Sequence, residues 1–374
     1  MQSTPLDPCD GITLGPIWKW LLGGRVISPA EDGLIMESAD SARRSEKLLV
    51  LSTQDVKKLL SIKEAIALQE KAFIALGTGR ATQVPSSWLT LDRFQGSLKV
   101  MAAYLDENGG SAVLKASGSF DQNPTRHHLP ATTGFIVLVD PRTGLPLAMI
   151  DATYTTILRT GAAGAIAAKL LARREAGKVA VLGSGGVAGG TLRALLQVFE
   201  TLSTGEVYSA DAPQAQKLCS ELMREYGVSL RLAASARNAV SGADIVITAT
   251  NSERPVFLAE WLEPGMHLSA MGRKSEIQPE VFRRCKVVAD HAPNAVAGGK
   301  SSFAIQAGAF SPGEVYGDLG EIICGSKPGR IQDSEMTLFD SSGIAVQDAV
   351  MARYLYEKAV EQEVGVRVAI FDTP

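Results

Sequence analysis

Residues 179–196, Val-Ala-Val-Leu-Gly-Ser-Gly-Gly-Val-Ala-Gly-Gly-Thr-Leu-Arg-Ala-Leu-Leu, constrain the fold of this chain more than any other stretch. The apolar run 179–182 reads as a buried parallel strand. Gly183, Gly185, Gly186, Val187 and Ala188 follow it, and then Leu192, Leu195, Leu196 and Phe199 recur at helical spacing. Strand, glycine turn and helix in this order form a dinucleotide-binding fingerprint. Gly183 permits the tight turn. Gly185 lets a pyrophosphate approach the backbone, and Ala188 lets helix and strand pack closely. The helix N-terminus adds unpaired N–H groups and a partial positive charge. A G-x-G-x-x-A by itself matches many loops; its place between a strand and a helix favours a nucleotide site over an unliganded glycine-rich turn.

The same alternation continues downstream. Residues 205–209, 230–232, 244–250, 267–271 and 286–290 read as strands, with a helix over 212–226 and a short one over 235–242. This is the pattern of a Rossmann-type, doubly wound parallel sheet within an α/β fold. Upstream, 48–51 reads as a strand, and Ser61 with Glu64 as a capping pair for an amphipathic helix. Residues 88–91, 98–104, 112–116, 133–139 and 146–150 read as strands separated by Gly, Pro, Asn and Asp turns. A long alanine-rich helix over 155–173 leads into the fingerprint. Beyond about residue 315 the pattern changes, and 335–339 with a final helix over 344–363 are expected to return to the first domain. The expected organisation is therefore an extension (1–46), a first α/β domain (47–165 and 316–374) and a nucleotide domain (166–315).

Composition excludes several classes. A chain of 374 residues with 45% hydrophobic and 21% charged residues is ordinary for globular proteins. A net charge of −3 speaks against a nucleic-acid partner. No apolar run approaches the roughly 20 residues that span a bilayer, so no membrane partner is expected. Cys9, Cys219, Cys285 and Cys324 are scattered. That argues against a zinc site or a disulfide framework and for a reducing, cytoplasmic setting. The first 46 residues hold Trp18 and Trp20 but too many acids for a transit peptide, and they lack a secretory apolar core. They read as an extension that packs on the body or on a partner.

Candidate chemistry lies in few places. Asp211, just past the second strand of the nucleotide domain, is placed to bind a ribose 2′-OH, which favours NAD over NADP; the alternative is a helix cap. Thr250 and Asn251 end the fourth strand, where they would line the cofactor groove or simply turn the chain. Met271 ends the fifth. Lys115 sits between apolar neighbours in a first-domain strand, either holding a substrate carboxylate or facing solvent. Arg159 would grip a carboxylate bidentately, or lie on a helix surface, and Thr160 would reach a phosphate. His127 and His128 are adjacent; on a strand they would point to opposite faces, so no metal is expected.

With these residues in place, the sequence resembles the ornithine cyclodeaminase/mu-crystallin family from about residue 48 to 365. The resemblance is carried by 131–144, 151–163, 183–188, 317–323 and 337–348. It implies an NAD(P)-dependent enzyme of α-amino or α-imino acids, usually a homodimer, whose first domain binds substrate and dimerises. By the same resemblance Lys115 and Arg159 bind the substrate carboxylate, Thr160 approaches the cofactor phosphate, and Ser342 in the Ser341-Ser342-Gly343 segment lies near the nicotinamide. Two positions depart from the family. Ser87 stands where an arginine commonly follows a proline, and Lys274 where cyclodeaminases carry an aspartate for the substrate amine. A lysine repels an ammonium. The expectation is therefore an imine reductase or amino-acid dehydrogenase, in which Lys115 or a water supplies the proton. The alternatives are a cyclodeaminase and a nucleotide-dependent binding protein.

Overall fold

The computed structural model describes residues 47–370 except 108. The extension 1–46, with Cys9, Trp18 and Trp20, lies outside the described residues. The described chain forms two lobes, each built on an eight-stranded sheet.

The first lobe begins with β1 (Leu48–Leu51), α1 (Thr53–Leu59) and α2 (Ile62–Gly77). The expected capping pair forms: the Ser61 N–H donates to Glu64 Oε2 (2.8 Å), and the Glu64 N–H returns to Ser61 Oγ (3.3 Å). There follow β2 (Ala81–Gln83), β3 (Ser87–Leu91), β4 (Gly96–Leu105), β5 (Ser111–Phe120), a one-turn helix α3 (Asn123–Arg126), β6 (Thr132–Val139) and β7 (Pro146–Asp151). The order is β16-β1-β7-β6-β5-β4-β2, with β3 paired to β4. β16 (Val366–Val368) closes one edge, antiparallel to β1. Alternation splits this sheet into two faces. Met101, Ala103, Leu105, Val113, Ile136, Leu138, Ala148 and Ile150 are buried. The helices α2, α4 (Ala152–Leu171) and α11 (Ala345–Glu361) pack against one another, and α4 and α11 also contact the sheet. The intervening residues Leu98, Val100, Leu114 and Phe135 remain exposed on the other face.

The second lobe runs β8 (Lys178–Leu182), α5 (Gly186–Val198), β9 (Thr204–Tyr208), α6 (Ala212–Tyr226), β10 (Ser229–Leu232), α7 (Ala236–Val240), β11 (Ile245–Thr248), β12 (His267–Ala270) and β13 (Lys286–Ala289). It continues through α8 (Ala292–Gly298), α9 (Lys300–Gln306), β14 (Gly317–Asp318), α10 (Leu319–Ile323) and β15 (Thr337–Asp340). The order is β10-β9-β8-β11-β12-β15-β13-β14, with every pair parallel. This is a doubly wound sheet whose winding reverses between β8 and β11.

One expected placement is corrected here. The strand near 335–339 does not return to the first lobe; β15 inserts between β12 and β13, and β14 pairs β13. All four residues of β15 are buried, as an interior parallel strand covered on both faces requires. Of the segment after 315, it is α11 and β16 that pack on the first sheet.

Candidate active site

Ligands of doubly wound sheets lie beyond the carboxyl ends of the strands where the winding reverses. Gly183 occupies that point with φ +112°, and a Cβ there would lie 2.4 Å from the Ala249 carbonyl oxygen. A side chain is therefore excluded by both conformation and space. Gly185 caps α5, and a Cβ added to it would meet nothing within 4 Å, so the space before the helix is open. Gly186 and Gly190 of α5 lie against Ile157 of α4, and Gly161 lies on the backbone of Gly190 and Thr191. Next to Gly161, Thr160 is buried with an Oγ1 that has no hydrogen-bond partner. An open cradle, the unpaired N–H groups of a helix start and an orphaned hydroxyl are the features a dinucleotide's pyrophosphate needs. Gly183, Gly185, Gly186, Val187, Ala188 and Thr160 thus fit NAD(P).

The other cofactor candidates are placed less directly. The Asp211 carboxylate caps α6, accepting from the Gln214 N–H at 2.9 Å, while its own N–H donates to Ser209 Oγ. Thr250 is committed internally: its N–H and hydroxyl both donate to Glu276 Oε2. Glu276 is wholly buried and also receives Thr248 Oγ1 and the Gly272 N–H, tying together the ends of β11 and β12. Asn251 is exposed beside Thr250. Met271 is buried, with its methyl against Gly164 of α4.

Lys115 and Arg159 converge. Lys115, 2% exposed, donates from Nζ to Asp348 Oδ1 at 2.7 Å and to Thr156 Oγ1 at 2.8 Å. Arg159, 8% exposed, brings Nε to 4.0 Å from the same Asp348 oxygen, and that Nε has no hydrogen-bond partner. Asp348 Oδ2 is also buried and unpaired. Burial drives the Lys115 pKa down, Asp348 pulls it up and Arg159 pushes it down again, leaving it at about 8. Gly343, at φ +77°, makes room for the guanidinium: a Cβ there would lie 3.2 Å from Arg159 Nη1 and Nη2.

The 341–343 turn is fastened from three sides. Lys300 Nζ donates to the Ser341 carbonyl (2.7 Å) and Lys99 Nζ to the Ser342 carbonyl (3.2 Å). The Ser342 hydroxyl and the Gly343 N–H donate to the two oxygens of Asp290. Ser342 therefore joins this cluster, with its hydroxyl turned to Asp290. Burial holds the Asp290 carboxyl above its usual pKa.

Two sequence candidates lie elsewhere. Ser87 pairs Val100, so it shares the outer face with Leu98 and Val100 and is turned away from Lys115. Counting from the proline missed the strand parity: its neighbour Trp88, opposite Lys99, faces the cluster side. Lys274 is exposed on the loop after β12, and the adjacent Arg273 is the residue that reaches across, bonding Asp121 at the end of β5 (3.0 Å). His127 and His128 lie on the turn after α3, not on a strand, and His128 has φ +54°. Four functional-site residues escaped the sequence reading. Asp348, Asp290 and Glu276 looked like any polar residue at a strand end or in a helix. Lys99 is one of several charges in an alternating strand, and only register places it on the Lys115 face.

The model of the ornithine cyclodeaminase/mu-crystallin family matches residues 46–363. Alanine dehydrogenase of Archaeoglobus fulgidus is 37% identical over 328 residues, 86% of this chain and 98% of that protein. Thermococcus litoralis Δ(1)-pyrroline-2-carboxylate reductase, solved with NADH and L-proline, is 32% identical with a TM-score of 0.82, covering 86% of this chain and 100% of that one. An archaeal alanine dehydrogenase dimer with bound NAD is 36% identical with a TM-score of 0.80, covering 87% and 100%. The chain belongs to the ornithine cyclodeaminase/mu-crystallin family.

Proposed function

We propose that this protein reduces the C=N bond of a small α-imino acid, open-chain or cyclic, to the amino acid at the expense of NAD(P)H. It is an NAD(P)-dependent enzyme of the imine reductase and amino-acid dehydrogenase type. The observation that carries the reading is the adjacency of Arg159 and Thr160 on α4. The first joins the buried Lys115–Asp348 pair and the second presents an unpaired hydroxyl beside the α4–α5 contact. One turn of helix therefore serves both reactants.

Bound NAD(P)H supplies the hydride for the imine carbon. Arg159 offers its planar fork to the substrate carboxylate. Lys115 has three ammonium protons, two engaged by Asp348 and Thr156, so one remains for the substrate. With a pKa brought to about 8, that ammonium is protonated at neutral pH yet able to give its proton to the nitrogen. One hydride and one proton complete the amine. Asp348 keeps Lys115 charged in a dry site and fixes its direction. Asp211 favours NAD over NADP, because its carboxylate would repel a 2′-phosphate.

The assembly that fits is a homodimer through the exposed face of the first sheet. Leu98 and Val100 alternate on β4, Leu114 on β5 and Phe135 on β6 continue the patch, and all are at least one-third exposed. A contiguous apolar sheet face of this kind marks a protein contact.

The test follows cofactor absorbance with NADH and NADPH during addition of pyruvate plus ammonium or of Δ(1)-pyrroline-2-carboxylate. Stoichiometric oxidation of the cofactor is expected. Release of ammonia from ornithine with no net change in the cofactor would replace this reading with cyclodeamination.

A further inference from the structure

The charges of the cluster do not cancel pairwise. Lys115 has its carboxylate in Asp348 at 2.7 Å, and Arg159 reaches the same carboxylate only at 4.0 Å. Lys300 is matched by Asp340 at 3.9 Å. Lys99 is the cation left over: among the described residues no carboxylate lies within ion-pair distance of its Nζ. Its neighbours are the Ser342 carbonyl at 3.2 Å and the face of Trp88, 5.3 Å from Nζ to ring centroid. Asp290, the other buried acid nearby, spends its oxygens on the Ser342 hydroxyl, the Gly343 N–H and the His291 N–H.

Register places Lys99 on the substrate side. In the β4–β5 ladder Met101 opposes Lys115 and Lys99 opposes Ser117, so Lys99 and Lys115 leave the sheet on one face, one strand apart. Trp88, opposite Lys99 on β3, is 59% exposed, so this corner of the cluster opens to solvent. A half-buried ammonium bonded to one carbonyl and an aromatic face is under-satisfied, and it stands beyond the group that already receives one carboxylate.

We infer that the substrate carries a second anionic group, set on Lys99 beside Trp88 while Arg159 holds the first. The substrate class is then an α-imino dicarboxylic acid, or its amino-acid product, rather than a monocarboxylate with an apolar side chain. This rests on the imino-acid reading of the site and narrows it. Burial, and after it the repulsion from Arg159 and Lys115, lowers the Lys99 pKa to about 8, and the second anion offsets that repulsion.

Two measurements on the full chain test the inference. In the first, pyruvate and 2-oxobutyrate are compared with oxaloacetate and 2-oxoglutarate, each with ammonium and NADH. The dicarboxylates are expected to show kcat/KM at least about tenfold higher. Lys99→Met should remove about 100-fold for the dicarboxylates, the loss of a charge partner, and no more than about tenfold for the monocarboxylates, which lose only the bond that fastens the 341–343 turn. Lys99→Arg should restore the preference. In the second, aspartate and glutamate are titrated against alanine into NAD-loaded protein, read by tryptophan fluorescence with Trp88→Phe as control. Tighter binding of the diacids, lost in Lys99→Met, is expected. A preference for monocarboxylates, or equal losses for both classes in Lys99→Met, overturns the inference. Diacid-selective binding without any turnover upholds it while the reductase reading fails.

Discussion

At the residue scale the site turns on three side chains sharing one oxygen. Lys115 and Arg159 both address Asp348 Oδ1, so removing either cation changes the other's environment. Arg159→Ala is expected to lower kcat/KM by about 100-fold or more, the loss of a carboxylate fork, while the affinity for NADH stays within a few-fold. Parallel loss of both, measured by kinetics and by fluorescence titration, would make the arginine structural. The pH profile provides a second check. Burial, with Arg159 and against Asp348, lowers Lys115 from the ordinary lysine range to about 8. The working form is the protonated one, so kcat/KM for reduction should be level below about pH 8 and fall as pH rises through it. Lys99 titrates in the same range, so Lys99→Met should retain the alkaline fall and Lys115→Met should abolish activity. A profile flat to pH 10 would remove Lys115 as proton donor. Lys115 drew notice in the sequence as a cation among apolar neighbours, whereas the carboxylate-binding roles of Lys115 and Arg159 came from the family resemblance. Asp348 was not, because its significance lies in a contact 233 residues away along the chain.

At the element scale the helix pair α4–α5 fixes the distance between the substrate cluster and the glycine turn. Gly161 makes this possible: a Cβ there would lie 2.5 Å from the Gly190 carbonyl and 2.8 Å from the Thr191 nitrogen, both backbone atoms that cannot rotate aside. Gly161→Ala is therefore expected to destabilise the fold by about 1–3 kcal/mol, read by denaturant unfolding, and to weaken NADH binding as the helices separate. An unchanged midpoint would show that the contact relaxes freely. The long alanine-rich helix was legible from composition, although it starts at Ala152, three residues before the expected 155, because Asp151 caps it through the Thr153 and Tyr154 N–H groups. Strand parity was the information the sequence lacked. Ser87 and Trp88 are adjacent, and only the pairing of Trp88 with Lys99 decides which of them faces the site.

At the scale of the whole molecule the two lobes are joined by more than the connecting helix. Arg273 after β12 bonds Asp121 after β5, and Lys99 of the first sheet bonds the turn after β15. The exposed face of the first sheet lies away from this junction, so pairing of two copies through it leaves both clusters reachable. Leu114→Glu with Phe135→Glu is expected to convert the proposed dimer to a monomer by light scattering, because two buried carboxylates facing their own copies repel one another. Dimers of unchanged size would move the interface elsewhere. The doubly wound class and six strands, β8 to β13, were legible, since each strand had its own apolar run, but their order in the sheet was not. The strand near 335–339 was read but its lobe was not, because no βα alternation leads into β15 to tie it to its neighbours β12 and β13.

That late strand has a consequence for how the protein is made. On a ribosome, everything from β8 to β14 emerges before Thr337–Asp340, yet β12 and β13 never pair with each other. Until β15 arrives, the nucleotide platform is two separate ribbons, each with a bare hydrogen-bonding margin facing the gap. That strand is thus a keystone. A message broken before it would yield a chain with its glycine turn intact and two sticky margins, which is a substrate for chaperones and proteases rather than for catalysis.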